Sequence, residues 1–341
     1  MSEKFEVFYD ENKTFTLRPL ANVSTIGAGE VLVAPKYIGI CGSDRYLICS
    51  NLSSLRLGHE WVGVVLETGS GVTKFAKGDV VTGTGHFACG SCAPCLSGKS
   101  NLCKNAVHFS SDKIGALRSE FSAPESQIFK VSSTLSPALA LLEVFGVGEQ
   151  AHYLLAEEGL KPEGTHLAVF GAGAIGLATA LVMQSYGFNP VIFDVDNSRI
   201  ERAAALGFQT ALTGVALVSR QFDHAFNVII DCTNDYDGQP GAFKFLPHFA
   251  QKEFTALVVG KYLQPQTIST GYNSLAARLI WMRGVSNTNM AMAVTRWQTK
   301  LQDLQSVFVT KIYDWKDCAG AFAAAADKKT SLKILIEISP F

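Results

Sequence analysis

From Thr165 to Asp194 the chain runs apolar strand, glycine turn, apolar helix, apolar strand, in the segments THLAVF, GAGAIG, LATALVMQSYG and PVIFD. That order is a βαβ unit. Parallel strands covered by helices on both faces have no solvent side, so LAVF and VIF are apolar at every position where a one-sided strand would alternate. The pattern continues downstream: NSRIERAAALG reads as helix, NVIIDC as strand, GAFKFLPHFA as helix, TALVVG as strand and ARLIWMRGV as a further strand. Residues 147–289 are therefore predicted to form a Rossmann-type, doubly wound parallel sheet within an α/β protein.

The turn itself carries chemistry. Gly171-Ala172-Gly173-Ala174-Ile175-Gly176 follows a strand and opens a helix, the context in which a glycine-rich turn binds a dinucleotide. Gly171 permits the tight turn, Gly173 lets backbone approach a pyrophosphate, and Gly176 allows close helix–strand packing; Ala174 and Ile175 begin the helix whose positive end meets the anion. Asp194 ends the next strand, where a carboxylate accepts hydrogen bonds from the ribose hydroxyls and repels a 2′-phosphate, favouring NAD over NADP. Two other readings stand beside this one. Asp194 could be a plain helix cap, a role better suited to Asp196 or Asn197, and Arg199 could meet a 2′-phosphate.

Upstream, short β-rich runs separated by glycines cover residues 31–40, 63–67, 79–82, 121–123 and 127–131, as in an antiparallel or barrel-like β domain. Downstream, VTRWQTKLQDLQ and DCAGAFAAAADKK read as helices and LKILIEI as a closing strand. With 341 residues, 48% of them hydrophobic and 17% charged, the chain is long enough for two cores. Residues 1–146 together with 290–341 are taken as one domain and 147–289 as the other.

Four of the eight cysteines crowd into one polar loop, CGSCAPCLSGKSNLC, with two, two and seven residues between them. Cys89, Cys92, Cys95 and Cys103 offer the four thiolates that a tetrahedral structural zinc takes, and a site so filled has no position left for substrate. An iron–sulfur cluster is the rival reading of the same ligands. Chemistry is to be sought elsewhere, and two further pieces offer it: Gly39-Ile40-Cys41-Gly42-Ser43-Asp44 and Gly58-His59-Glu60. A thiolate, an imidazole and a carboxylate make a zinc site that leaves one coordination position open. Each piece alone reads as readily as a buried small residue or a surface pair.

Taken in order, GICGSD, GHEWVG, GDVV, the cysteine lobe, LLEVFGVGEQA, VFGAGAIG and SLKILIEI resemble the zinc-containing medium-chain dehydrogenase/reductase family over nearly the whole chain, in its sorbitol (polyol) and threonine dehydrogenase branch. The resemblance implies a GroES-like β-barrel catalytic domain, a structural zinc lobe at 89–103 and two zinc ions per chain. It implies Cys41 and His59 as ligands of the catalytic zinc, with Glu60 or Glu143 as the acidic third ligand; Glu143 also reads simply as a helix N-terminal carboxylate. Ser43 resembles the hydroxyl that passes the alcohol proton outward, and Asp44 a residue that supports a ligand. At the position of the family's relay histidine stands Tyr46, a poor proton acceptor with an ordinary pKa of about 10. The stretch between Cys41 and His59 is also shorter than is usual in the branch, so the substrate does not carry over. Arg45 and Arg56 lie on or near that stretch, where a phosphorylated substrate would need such groups and where solvated arginines are the plainer reading.

The implied activity is zinc-dependent, NAD-linked interconversion of a secondary alcohol, polyol or sugar-like, and its ketone by hydride transfer. Sugar-phosphate, cyclitol and threonine-type dehydrogenases are the alternatives within the family, and a non-catalytic dinucleotide-binding relic is the alternative outside it. The resemblance also implies a homodimer or homotetramer joined near Leu279–Gly284. A net charge of −1 with scattered basic residues argues against nucleic acid. The start MSEKFEVFYD lacks a signal-peptide pattern, and the longest apolar run, about Ala172–Met183, is too short for a bilayer, so a cytoplasmic protein without a membrane partner is expected.

Overall fold

The computed structural model describes residues 4–20, 26–50, 52, 54–111, 113–235, 241–265 and 276–338. They divide into one unit of residues 1–146 with 284–341 and another of residues 147–283. In chain order the first unit holds β1 (Phe5–Tyr9), β2 (Phe15–Pro19), β3 (Glu30–Gly39), β4 (Glu60–Thr68), β5 (Val80–Gly83), β6 (His86–Phe87), β7 (Val107–His108), β8 (Phe121–Pro124) and β9 (Ile128–Val131). The second holds β10 (Leu167–Phe170), β11 (Val191–Asp194), β12 (Gln209–Leu212), β13 (Phe226–Asp231), β14 (Ala250–Val258) and β15 (Ala276–Trp281). The chain then supplies β16 (Val309–Asp314) and β17 (Lys333–Glu337) to the first unit.

In the second unit the six strands are all parallel in the order β12-β11-β10-β13-β14-β15. The order reverses direction at β10, which makes the carboxyl ends of β10, β11 and β13 the natural place for a ligand. Every residue of β10 and β11 is buried, as a sheet covered on both faces requires. Phe170, Phe193, Phe226 and Phe249 fill one side of it. The α/β class with a doubly wound parallel sheet is as the sequence predicted.

In the first unit the order is β16-β17-β3-β4-β5-β9, with β8 also on β3. All these pairs are antiparallel except β16 with β17. β3 can serve so many partners because it is long and bends. Its register with β4 shifts at Leu32/Val33 and again at Pro35/Tyr37, so Glu30–Val33 pair with β8 while Tyr37–Gly39 pair with β17. Val31, Val33, Ile38, Trp61, Val81 and Phe121 form the buried centre.

Two helix expectations change. VTRWQTKLQDLQ does not form one helix: Asn287–Trp297 and Leu301–Phe308 are separate. Between them the Gln298 carbonyl accepts from the Ser133 hydroxyl at 3.2 Å and its side chain from Ser132 N at 2.7 Å, which draws the backbone out of the ladder. GAFKFLPHFA yields only a 3₁₀ turn, Ala242–Phe245, and one helical turn, Leu246–Phe249, before β14 begins. Residues 284–289, assigned from sequence to the nucleotide domain, fall in the first unit, where Asn287 N donates to Ser100 Oγ at 2.7 Å.

Candidate functional site

Among the described residues two groups of side chains bring three or more metal-type donor atoms within 4.8 Å of one another: Cys89, Cys92, Cys95 and Cys103, and Cys41, His59 and Glu60. In the first group, Sγ–Sγ separations are 3.4 Å (Cys92 to Cys95), 3.5 Å (Cys103 to Cys89) and 4.0 Å (Cys89 to Cys95). A tetrahedron of thiolates about 2.3 Å from zinc has sulfurs about 3.8 Å apart, so the donor set fits that ion. Backbone N–H groups of Ser91 and Cys92 pull the Cys89 thiol down to about 5. Burial, then the neighbouring Cys92, pushes Cys95 up to about 12. The loop is tied to the domain by Gln127, whose Oε1 accepts from Ala88 N at 3.0 Å and from Asn287 Nδ2 at 2.9 Å.

The second group is assembled by strand register. β3 ends at Gly39, two residues before Cys41, and Gly39 pairs with Glu60, the first residue of β4 and the neighbour of His59. Gly39 leaves room here: a Cβ on it would stand 2.1 Å from Glu60 Oε2. Cys41 caps the Gly42–Cys49 helix, and Asp44 three residues on reaches back so that its Oδ2 accepts from Cys41 N at 3.0 Å. Asp44 Oδ1 stands 3.1 Å from His59 Nδ1, with Ser110 Oγ 3.0 Å from the same nitrogen. That leaves Nε2 facing Ser43 Oγ, 3.2 Å away. Burial opposes charge on His59, yet Asp44 and then Cys41 raise its pKa well above the usual imidazole value. A pocket that draws a proton so strongly has the charge balance to hold a cation, and the sulfur, nitrogen and oxygen donors are those zinc takes.

Glu60 has a partner that sequence reasoning missed. Lys333 Nζ, buried on β17, donates to both its oxygens at 2.8 and 2.7 Å and to Ile40 O at 3.2 Å. Burial opposes the ammonium, but Glu60 and Cys41 beside it hold its pKa above the ordinary lysine value. Glu143 lies in the same electrostatic neighbourhood but outside the three-donor group. Burial, reinforced by the charges of Glu60 and Asp44, raises its carboxyl to about 7. Tyr46 sits partly buried on the Cys41-capped helix. Arg56 is committed elsewhere: its Nε donates to Glu6 at 3.0 Å, a carboxylate shared with Arg118, and its guanidinium covers the Phe8 ring.

In the second unit Gly171 has φ +97°, and a Cβ there would meet Cys232 O at 3.1 Å; one on Gly176 would lie 1.7 Å from Gly171 O. The turn demands glycine at both positions. Asp194 holds this turn: its Oδ2 accepts from Ala172 N at 2.7 Å and its Oδ1 from Asp196 N at 2.9 Å. Arg199 Nη1 is 3.9 Å from Asp194, and Gly173 and Ala174 open the helix beside it, with Ile175 in its first turn. The helix cap is Asp196, whose side chain accepts from Ser198 N and Arg199 N. Sequence reasoning also missed Asp231 at the carboxyl end of β13, buried and hydrogen-bonded by Thr233 Oγ1 at 2.6 Å and by Tyr262 Oη.

Fold and site together define a two-unit protein with one zinc-type lobe, one zinc-type open site and a glycine-turn nucleotide fold. Residues 27–133 match the alcohol dehydrogenase GroES-like domain. The chain is 29% identical over 326 residues to an L-threonine 3-dehydrogenase of Streptomyces coelicolor, covering 91% of this chain and 93% of that one. It is 30% identical over 235 residues to the enzyme of the same name from Pseudoalteromonas atlantica, covering 66% and 68%. An Escherichia coli oxidoreductase/dehydrogenase of unknown specificity has a similar structure, with a TM-score of 0.87, 25% identity and coverage of 99% and 100%. The chain belongs to the zinc-containing medium-chain alcohol dehydrogenase family. It is an oxidoreductase of the dehydrogenase type, and its substrates are alcohols. Among the described residues no helix is long and apolar enough to cross a membrane.

Proposed function

We propose that this chain interconverts a secondary alcohol and its ketone, with a zinc ion at Cys41, His59 and Glu60, a second zinc in the four-cysteine lobe, and NAD as hydride acceptor. The observation that carries the reading is the convergence of Cys41, His59 and Glu60 donor atoms within 4.8 Å, with Nδ1 of His59 engaged by Asp44 and Nε2 3.2 Å from Ser43 Oγ. Zinc bound there would supply a Lewis acid that favours the ionised alcohol. Ser43 Oγ is the hydroxyl best suited to take the alcohol proton. Tyr46 accepts a proton poorly near neutrality and so does not replace the family's relay histidine as the next carrier. Glu143, with its pKa raised to about 7, is a second carboxyl near the site and can exchange with Glu60 as metal partner.

NAD is favoured because Asp194, fixed by two backbone amides, puts a carboxylate where a 2′-phosphate would lie; Arg199 beside it offsets only part of that charge. A phosphorylated substrate gains no support from Arg56, which is spent on Glu6. The threonine-type reading gains support from the relatives' names, a polyol none beyond the sequence pattern. None of the eight cysteines is in a disulfide, which fits a reducing, cytoplasmic setting. The exposed outer edge of β15 supports pairing between copies of the chain.

The test is a metal count with a substrate panel of threonine and other hydroxy amino acids, polyols, cyclitols and alditol phosphates, each with NAD and NADP. Two zinc ions per chain and NAD-linked turnover are expected, with turnover lost in Cys41→Ser. A single zinc, confined to the four-cysteine lobe, would instead mark a non-catalytic relic.

A further inference from the structure

Ser110 is buried and has φ +58°, a left-handed backbone that residues with side chains seldom adopt. The segments on either side are pinned. Phe109 N donates to Gly85 O at 2.9 Å, Arg56 N donates to Ser111 O at 2.8 Å, and the Phe109 ring packs against Trp61, Phe87 and Phe121. Strain of this kind persists only where surrounding contacts over-determine it, and it collects at functional sites.

Here the strained backbone aims one atom. Ser110 Oγ donates to Asp44 Oδ1 at 2.6 Å and lies 3.0 Å from His59 Nδ1, while Asp44 Oδ1 is 3.1 Å from that nitrogen. The three groups close a ring with one consistent set of protons. The hydroxyl proton goes to the carboxylate, and the Nδ1 proton is shared between the hydroxyl oxygen and the carboxylate. Nδ1 is therefore the ring nitrogen that keeps its proton, and Nε2 the one whose lone pair can serve a metal ion. Asp44 comes from the helix that Cys41 caps and His59 from the residue just before β4, so Ser110, from a third segment, fixes the two relative to each other.

We infer that Ser110 is a positioning residue for the metal site, setting the tautomer and ring orientation of His59 so that Nε2 meets the same ion as Cys41. The inference rests on the function proposed above. Partners of this kind, one bond beyond the ligands, change metal affinity by about 10–100-fold when removed.

The experiment follows release of each zinc from the purified full chain to a chelator, with melting temperature measured alongside. Ser110→Ala keeps the Cβ and the backbone demand and removes only the hydroxyl. It is expected to bind one ion about 10–100-fold more weakly while the four-cysteine ion stays as in the parent chain. Ser110→Thr keeps the hydroxyl but adds a branch ill suited to this φ, so it should melt lower and yet retain both ions. If it does not fold, Ser110→Gly supplies the opposite case, relieved backbone and no hydroxyl, and should release the ion readily without melting lower. Retention that follows the hydroxyl rather than the melting temperature supports positioning; retention that follows melting temperature overturns it. Equal release from the parent chain and Ser110→Ala overturns the role of Ser110 and leaves the proposed function standing. A parent chain that binds only the four-cysteine ion overturns that function first, and the role of Ser110 with it.

Discussion

A buried lysine bonded to both oxygens of a buried glutamate is a costly arrangement, since each charge gives up its hydration and only good geometry restores the loss. Lys333 and Glu60 meet that condition, with Nζ within 2.8 Å of both carboxylate oxygens. In the zinc-free chain Lys333→Met leaves the carboxylate buried without its counter-charge, and an unfolding free energy lower by about 3–5 kcal/mol is expected in urea. Adding Glu60→Gln to that variant should restore most of the loss. A single variant as stable as the parent chain would mean that the pair contributes nothing. The same residues mark what sequence reading reaches. The cysteines of the lobe and the pair Cys41 and Asp44 are legible because their partners lie a few positions away. Lys333 does leave a trace, one basic residue in the apolar run LKILIEI, but its partner is 273 residues upstream and no local rule joins them. Ser110 leaves none, because its meaning is a backbone angle.

Among the elements, those with a strong period were legible and those set by neighbours were not. The βαβ unit around Gly171 follows from apolar runs and turn chemistry alone. The break at Gln298 and the short strands β12 and β16 depend on groups elsewhere in the fold. Gly171→Ala tests the turn. With φ +97° and Cys232 O at 3.1 Å from the added Cβ, it should cost about 1–3 kcal/mol of stability and weaken binding of the proposed nicotinamide dinucleotide at least tenfold, read by calorimetry. The β6–β7 pair offers a pH test. Burial, then the neighbouring His108, lowers His86 from 6.5 to about 4, and its Nε2 has no hydrogen-bond partner. Between those pH values the unfolded chain binds a proton on this histidine and the folded chain does not. Stability therefore rises with pH through the window and is lost on acidification, by on the order of 3 kcal/mol for the full shift. The melting temperature of His86→Gln should fall less than that of the parent chain from about pH 7 to pH 5; parallel curves would remove His86 from the account.

At the scale of the whole molecule the parallel sheet has an end to account for. β15 pairs with β14 on one side only among the described residues, and Leu279 and Trp281 remain 40% and 56% exposed. An open edge strand presents a row of free N–H and carbonyl groups, and the one charged side chain on β15, Arg278, is paired with Glu158 rather than left to guard the edge. Two copies related by a two-fold axis could join these edges into one continuous sheet, an interface in which the same strand meets itself. The parent chain is accordingly expected to sediment at twice the mass of one chain. Replacing Leu279 and Trp281 together by lysine sets like charges against each other across the axis, and the variant should sediment as a monomer while retaining its zinc. A parent chain that is monomeric at high concentration, or a double variant that stays dimeric, would place the contact on another surface.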